Sequence, residues 1–288
     1  MSFPAFTPAP LLAATAVAAR LRGCRAPLGV PHRGPFTPAS PIAVRRASAP
    51  AARRGSFVTM ASAPSTDTKG TMYVKAGPDG KSVGDCPFSL KALMGAALKG
   101  VAVDIVPIDL SNKPDSFLAL TDAGSTPVFV HGDRTLTDSA DILVYVDTLG
   151  DGAAGASLFP PAASADAAVG DAVVRVFGAF ARLMKNKEGG EEAAKVADLE
   201  AALAAIDAVL AASGGPFLCG PWVSAWDCEV IPKLRHVVVA AAHYKGFSLA
   251  GHGWAALEQY IDVTGRMKAT KEVLCADEVV VWGWSKFF

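Results

Sequence analysis

The chain has 288 residues, half of them apolar, with equal numbers of acidic and basic side chains, so it is long enough for two domains with proper cores. The neutral sum hides an asymmetry: residues 1–66 hold eight of the 27 basic residues and no acidic one, leaving 19 basic against 27 acidic residues, a net of about −8. An acidic body speaks against nucleic acid as a partner, and no apolar run approaches the ~20 residues of a stable membrane span, the longest being Leu11 to Ala19 and Val237 to Ala242. Five cysteines (Cys24, Cys86, Cys219, Cys228, Cys275) lack metal-ligand spacing and do not make a secreted disulfide scaffold, so a reducing compartment is the simpler home.

Residues 1–60 are rich in Ala, Pro, Ser and Arg without acidic groups, the composition of an organelle transit peptide. The uncharged start and the length point to the chloroplast stroma ahead of the mitochondrion, with removal near Val58-Thr59-Met60-Ala61. Composition alone leaves open a basic arm that stays attached.

Met72 to Ala76 reads as a strand, closed by the turn formers Gly77-Pro78-Asp79-Gly80. Leu90, Leu93, Met94, Ala97 and Leu98 recur at helical spacing before the stop at Gly100. A second strand spans Val103 to Asp109, a turn Ser111 to Pro114, and a short helical piece Phe117 to Leu120. Gly124 to Val130 enters a third strand, Gly132-Asp133 turns into Arg134 to Leu136, and a helix follows with Ile142, Leu143, Val146 and Leu149 on its apolar face. The order β-α-β-α-β-β-α within residues 70–150 is thioredoxin-like.

Residues 150–163 read as a linker, and residues 164–288 as an all-helical domain. Its helices are Val169 to Met184, Glu191 to Leu210, one starting at a capping box Ser224-Asp227 with Ile231, Leu234, Val238 and Ala241 on its stripe, and Trp254 to Met267 as the last clear one. Pro232 should bend the third of these. Trp222, Trp226 and Trp254 read as core, and His236 and His243 have no partner that spacing identifies.

The chemistry lies in Val83 to Ser89, between the first strand and first helix. Pro87 fits the first helical turn, where its missing N–H costs nothing. Cys86 then sits at the helix N-terminus, where free N–H groups and the helix dipole favour a thiolate. Ser89 stands where a Cys-x-x-Cys motif would have its second thiol, so an oxidised Cys86 must be resolved by a thiol from elsewhere. A buried cap cysteine packing as a small hydrophobe is the plainer reading.

This layout resembles the glutathione transferase superfamily and, within it, the plant and algal dehydroascorbate reductases, over most of residues 72–288. The matching pieces are Val74-Lys75, Gly84 to Ser89, Ser111 to Pro114, Pro127 to Phe129, Asp138-Ser139, Gly215 to Phe217, Pro232 to Leu234, His243 to Gly246 and Gly283-Trp284. Animal chloride intracellular channel proteins share Cys-Pro-Phe-Ser, but Ser-Asn-Lys-Pro and the closing Gly-Trp point to the reductases. The resemblance implies a thioredoxin-like domain followed by an all-helical one, and glutathione-dependent reduction of dehydroascorbate to ascorbate. The resemblance also implies glutathione as co-substrate, no need of a metal or flavin, and a monomer.

In that pattern Cys86 is the nucleophile: it attacks or reduces the dicarbonyl, forms a mixed disulfide with one glutathione, and a second glutathione releases glutathione disulfide. Lys75, Asp85, Pro87, Phe88 and Ser89 surround the substrate. Lys113, Pro127, Val128, Asp138 and Ser139 hold glutathione, Pro127 as a cis-proline exposing the Val128 backbone and Asp138-Ser139 receiving the γ-glutamyl end. As bare sequence, the same residues read as an exposed strand lysine, a turn acid, a loop lysine, a trans-proline and an N-cap. Two departures stand out: the loop from Lys75 to Cys86 is short, and Leu90-Lys91 replace a usual Gln-Arg pair. The alternatives are an omega-like thioltransferase, or a redox-sensing, channel-like protein without enzymatic activity.

Overall fold

The first described strand, β1 (Gly70–Lys75), alternates buried and half-buried residues, with Met72 and Val74 on one face and Tyr73 on the other. The computed structural model describes residues 69–150, 157–159 and 167–288, all within the unit Met60–Phe288. The expected leader, residues 1–60, and most of the expected linker lie outside the described residues.

β1 pairs in parallel with β2 (Val103–Ile108) and antiparallel with β3 (Val128–His131), which pairs with β4 (Arg134–Leu136), giving the order β2-β1-β3-β4. The parallel pair needs a crossover, supplied by α1 (Pro87–Lys99). α1 and α3 (Ser139–Leu149) pack together and share a core with Met72, Val74 and Phe129. The other sheet face holds a smaller core of Ile108, Phe117 and Val128, Phe117 coming from α2 (Asp115–Leu118).

The expected one-sided stripe of α1 is only partly observed. Leu90, Leu93 and Met94 are buried, but Ala97 is exposed, and Lys91 and Lys99 are buried. α1 packs against α3 on one side and against two C-terminal helices on others, so most of its circumference is covered. The two buried ammonium groups require counter-ions: Lys99 has Asp147 at 3.1 Å, and Lys91 has Glu229 at 2.5 Å.

Among the described residues, the C-terminal region is helices and their connections, with one isolated bridge between Phe217 and Gly220. It comprises α4 (Ala167–Met184), α5 (Glu192–Ala212), α6 (Ala225–His236), α7 (Ala242–Lys245), α8 (Ala255–Arg266), α9 (Lys268–Val273) and α10 (Asp277–Ser285). The capping box at the start of α6 is present, and Asp227 does more than cap. Its buried carboxylate accepts from Ser224 N–H and hydroxyl, from Leu218 N–H at 3.1 Å and from the Tyr260 hydroxyl at 2.8 Å. One core runs from Met72 and Phe129 through α1 and α3 to Leu257 and Trp284. Of the linker, Leu158 is buried; its N–H donates to Asp147 and its carbonyl accepts from Ala225 N–H.

Three expectations are corrected. Val238 is 37% exposed, whereas Val237, Ala240 and Ala241 are buried. After α6 the backbone widens into a π-helical segment, Val237–Ala241, and i→i+5 bonding shifts the side chains that follow relative to a 3.6-residue stripe. Trp222 is 65% exposed rather than core, while Trp254 is buried. Trp254 to Met267 is not the last helix, since α9 and α10 follow it.

Candidate active site

The strand registers bring the expected site segments to one end of the sheet. Lys75 pairs with Ile108, so the loops after β1 and β2 leave from the same end. β3 is antiparallel to β1 and Val128 pairs with Tyr73, so β3 begins there. Leu136, the last residue of β4, pairs with Phe129, so the chain leaves β4 for Asp138 and Ser139 at that end too.

The loop to Cys86 is tightly built. Ala76 bridges Val83, and Gly84 N–H donates to Lys75 O at 2.7 Å. A Cβ on Gly84 would lie 2.4 Å from Ala76 O, so only glycine permits that approach. Cys86 is the N-cap of α1, half-buried and unbridged, with φ −61° and ψ 112°, and its carbonyl accepts from Leu90 N–H at 3.0 Å. Pro87 occupies the first turn, and no side chain caps the helix. Unclaimed first-turn N–H groups are where a negative charge is stabilised.

The charged neighbours hold each other. Lys75 Nζ pairs with Asp85 Oδ1 at 2.5 Å, and Asp85 is 4% exposed, so the short loop does not keep Lys75 from the site. Lys75 Nζ also lies 5.3 Å from the centre of the Trp282 ring on α10. Beyond this wall opens a cleft of about 460 Å³, bordered by Lys75, Pro78, Asp109, Ser111, Trp282 and Lys286. Of the other motif residues, Phe88 is 42% exposed, with its ring against Phe177 of α4. Pro87 and Ser89 are buried, and the Ser89 hydroxyl has no hydrogen-bond partner among the described residues. Both lie inside the wall of the site rather than on its surface.

The expected glutathione residues fall as follows. The Thr126–Pro127 peptide is cis. Val128 pairs with β1, whereas the β4 ladder starts only at Phe129, so one edge of Val128 lies beyond the end of β4. Asp138 caps α3, its carboxylate accepting from Ala140 N–H at 2.7 Å and Asp141 N–H at 3.3 Å. Those two donors are therefore occupied, while Ser139 is buried at the first helical position. Lys113 reaches over the turn before Pro127: a Cβ on Gly124 would sit 3.1 Å from its Nζ. It has no ion-pair partner among the described residues.

His236 gave no usable sequence signal, and Trp284 entered only through the closing Gly283-Trp284 pair, with no role attached. His236, at the end of α6, is 1% exposed and places Nε2 2.7 Å from Asp85 O. Its Nδ1 accepts from the Trp284 indole N–H at 2.8 Å. An indole only donates, so the imidazole proton resides on Nε2 and is donated to Asp85 O. Phe177 and Phe180 press on both rings. Burial holds the His236 pKa below its ordinary value, against the pull of Asp85, and the residue stays neutral. Of the other cysteines, burial and then Asp85 push the Cys275 thiol up to about 11. Burial, then Asp227, pushes Cys228 higher still. Neither competes as a thiolate near neutral pH.

Among the described residues, no group of three or more His, Cys, Asp or Glu could hold a metal ion, and no helix is long and apolar enough to cross a membrane.

The model of the glutathione S-transferase N-terminal domain matches residues 85–149. The rice protein (Oryza sativa subsp. japonica) named probable glutathione S-transferase DHAR1, cytosolic, is 31% identical over 206 residues, covering 71% of this chain and 91% of that one. The Arabidopsis thaliana protein named glutathione S-transferase DHAR3, chloroplastic, is 30% identical over 235 residues, covering 81% and 84%. The crystal structure of Chlamydomonas reinhardtii dehydroascorbate reductase superposes with a TM-score of 0.67 at 29% identity, over 76% of this chain and 99% of that one.

Proposed function

Because the chain belongs to the dehydroascorbate reductases of the glutathione transferase superfamily, we propose that it reduces dehydroascorbate to ascorbate with glutathione, through the single thiol of Cys86. The observation that carries this reading is the placement of Cys86: a half-buried N-cap thiol with serine three residues on. Without a second thiol in the motif, resolution falls to glutathione.

Two glutathione thiols supply two electrons and two protons and end as one disulfide, while dehydroascorbate takes up the electrons. Cys86 thiolate attacks the dicarbonyl. The first glutathione thiolate attacks Sγ, so that an S–S bond forms as the bond from Sγ to substrate breaks and its electron pair leaves with ascorbate. The second glutathione attacks the mixed disulfide and restores the thiolate. No metal or other cofactor enters. The cis-Pro127 segment offers the free edge of Val128 to the backbone of glutathione. Lys113 supplies a cation for one glutathione carboxylate, and Ser139 the N–H and hydroxyl for the other. Asp138, though it caps α3, remains exposed and can receive the ammonium group. Lys75 and Asp85 face the polar substrate as a pair.

The leader composition and the chloroplastic name of the Arabidopsis relative support a stromal location, although the rice relative is named cytosolic. The test of the reaction is ultraviolet-detected ascorbate formation by the full chain from dehydroascorbate and glutathione. Turnover well above the uncatalysed rate is expected. A rate at background, with rapid exchange of a small mixed disulfide, would replace this reading with a thioltransferase.

A further inference from the structure

The direction of the Cys86 side chain is set by the two peptide planes that flank it. The plane after it is held within its own helix, where Cys86 O accepts from Leu90 N–H. The plane before it is held from the C-terminal region, where His236 Nε2–H donates to Asp85 O. We propose that His236 is a positioning residue for Cys86, and that Trp284 sets it in that role by fixing its tautomer, so that the C-terminal helices complete the thiol site through the Asp85–Cys86 peptide.

Three features favour this over an ordinary core histidine. Both ring nitrogens are used in one chain of donation, from Trp284 to His236 to Asp85 O, with no remaining lone pair or proton to adjust. The acceptor is the carbonyl bonded directly to the Cys86 nitrogen, 151 residues away in sequence. Gly283, next to Trp284, packs so closely on Asp85 that the approach of α10 is matched to that loop. A hydrogen bond that anchors a peptide plane restricts its rotation, and a reacting atom displaced by about 1 Å can lose roughly 100-fold in rate.

The chain of donation also makes the site sensitive to protonation. A second proton on His236 must go to Nδ1 and displaces the Trp284 bond. The charged groups facing the ring are Asp85 on the loop, Lys75 on β1 and Arg235 on α6, the last paired with Asp277 of α10. α4 contributes only the rings of Phe177 and Phe180.

The test uses the full chain and the variants His236→Leu, His236→Gln and Trp284→Phe. The first readout is the rate of Cys86 carboxymethylation by iodoacetamide from about pH 5.5 to about pH 9, scored on the Cys86 peptide alone. It needs neither glutathione nor dehydroascorbate. The second, kcat against KM, rests on the function proposed above. His236→Leu should slow alkylation and kcat by roughly 10- to 100-fold with KM for glutathione held within about twofold. His236→Gln, whose amide can still donate to Asp85 O, should recover most of the rate. Trp284→Phe frees Nδ1, so the acid fall in reactivity should move to higher pH.

A folded His236→Leu protein with wild-type alkylation overturns the proposal, as does a Trp284→Phe profile that does not move. If His236→Leu fails to fold, the other two variants decide the matter. Absence of turnover in the parent chain, with the alkylation pattern as expected, refutes the proposed reaction and upholds the positioning role.

Discussion

Gly283 and Asp85 meet so closely that a Cβ on the glycine would lie 2.0 Å from a carboxylate oxygen. Gly283 lies within α10, where glycine is otherwise unfavourable by about 1 kcal/mol. Its presence is explained by that contact. Gly283→Ala should push Asp85 away from Lys75 at a cost of about 1–3 kcal/mol, offset by the roughly 1 kcal/mol that alanine gains in a helix. For a chain of this size each kcal/mol corresponds to about 2–4 °C in melting temperature. Calorimetry reads the stability, and Cys86 alkylation reads the site; a raised melting temperature, the result for an uncrowded helix glycine, would contradict the contact.

The ionic cluster joining α1 to α6 should respond unequally to its members. Glu229 is shared by Lys91 and Lys233, all three largely buried. Glu229→Gln leaves two buried ammonium groups without a counter-charge, and about 3–5 kcal/mol should be lost. Lys91→Met leaves the Glu229–Lys233 pair intact and exchanges one long side chain for another, so less than about 1.5 kcal/mol is expected. Urea unfolding of both variants checks the order.

At the start of α6, Asp227 is the meeting point of four donors from three parts of the chain. Asp227→Asn turns one acceptor oxygen into a donor that faces other donors, and about 2 kcal/mol should be lost. Tyr260→Phe removes one donor and should cost about 1 kcal/mol. A larger loss for Tyr260→Phe than for Asp227→Asn in chemical denaturation would contradict the hub.

Acid should weaken the fold through His236. Burial depresses its pKa from 6.5, so below that value the unfolded chain takes up a proton that the folded one refuses. The associated stability is complete above about pH 6.5. It falls as pH drops further, by up to about 1.4 kcal/mol per unit until the folded pKa is reached. Urea midpoints between about pH 7.5 and pH 5.5 should show this slope in the parent chain, and His236→Gln should lack it.

The thioredoxin-like order, the Cys86 N-cap, Pro87 in the first turn and the Ser224–Asp227 box were all legible, because each rests on neighbours a few residues apart. What stayed hidden rests on distant partners. The periodicity of α6 continued through Val238, yet π-helical bonding turned that residue outward. α10 reads Asp-Glu-Val-Val-Val-Trp-Gly-Trp-Ser, a composition closer to a strand. It is helical because Val280 and Trp284, one turn apart, are buried together. Lys75 and Asp85 could not be assigned to each other from spacing, and His236 showed no partner because its acceptor lies across the fold. The expected ligand role of Asp138 met a local competitor, its own helix.

The most direct test of the account is Cys86→Ser, compared with the parent chain in ascorbate formation from dehydroascorbate and glutathione, with intact-mass detection of a glutathione adduct. The parent should turn over well above background and carry the adduct under oxidising conditions. The serine variant should fall to background and carry none at position 86. Turnover by Cys86→Ser at the parent rate would contradict the account, because the electrons would then pass through some other group.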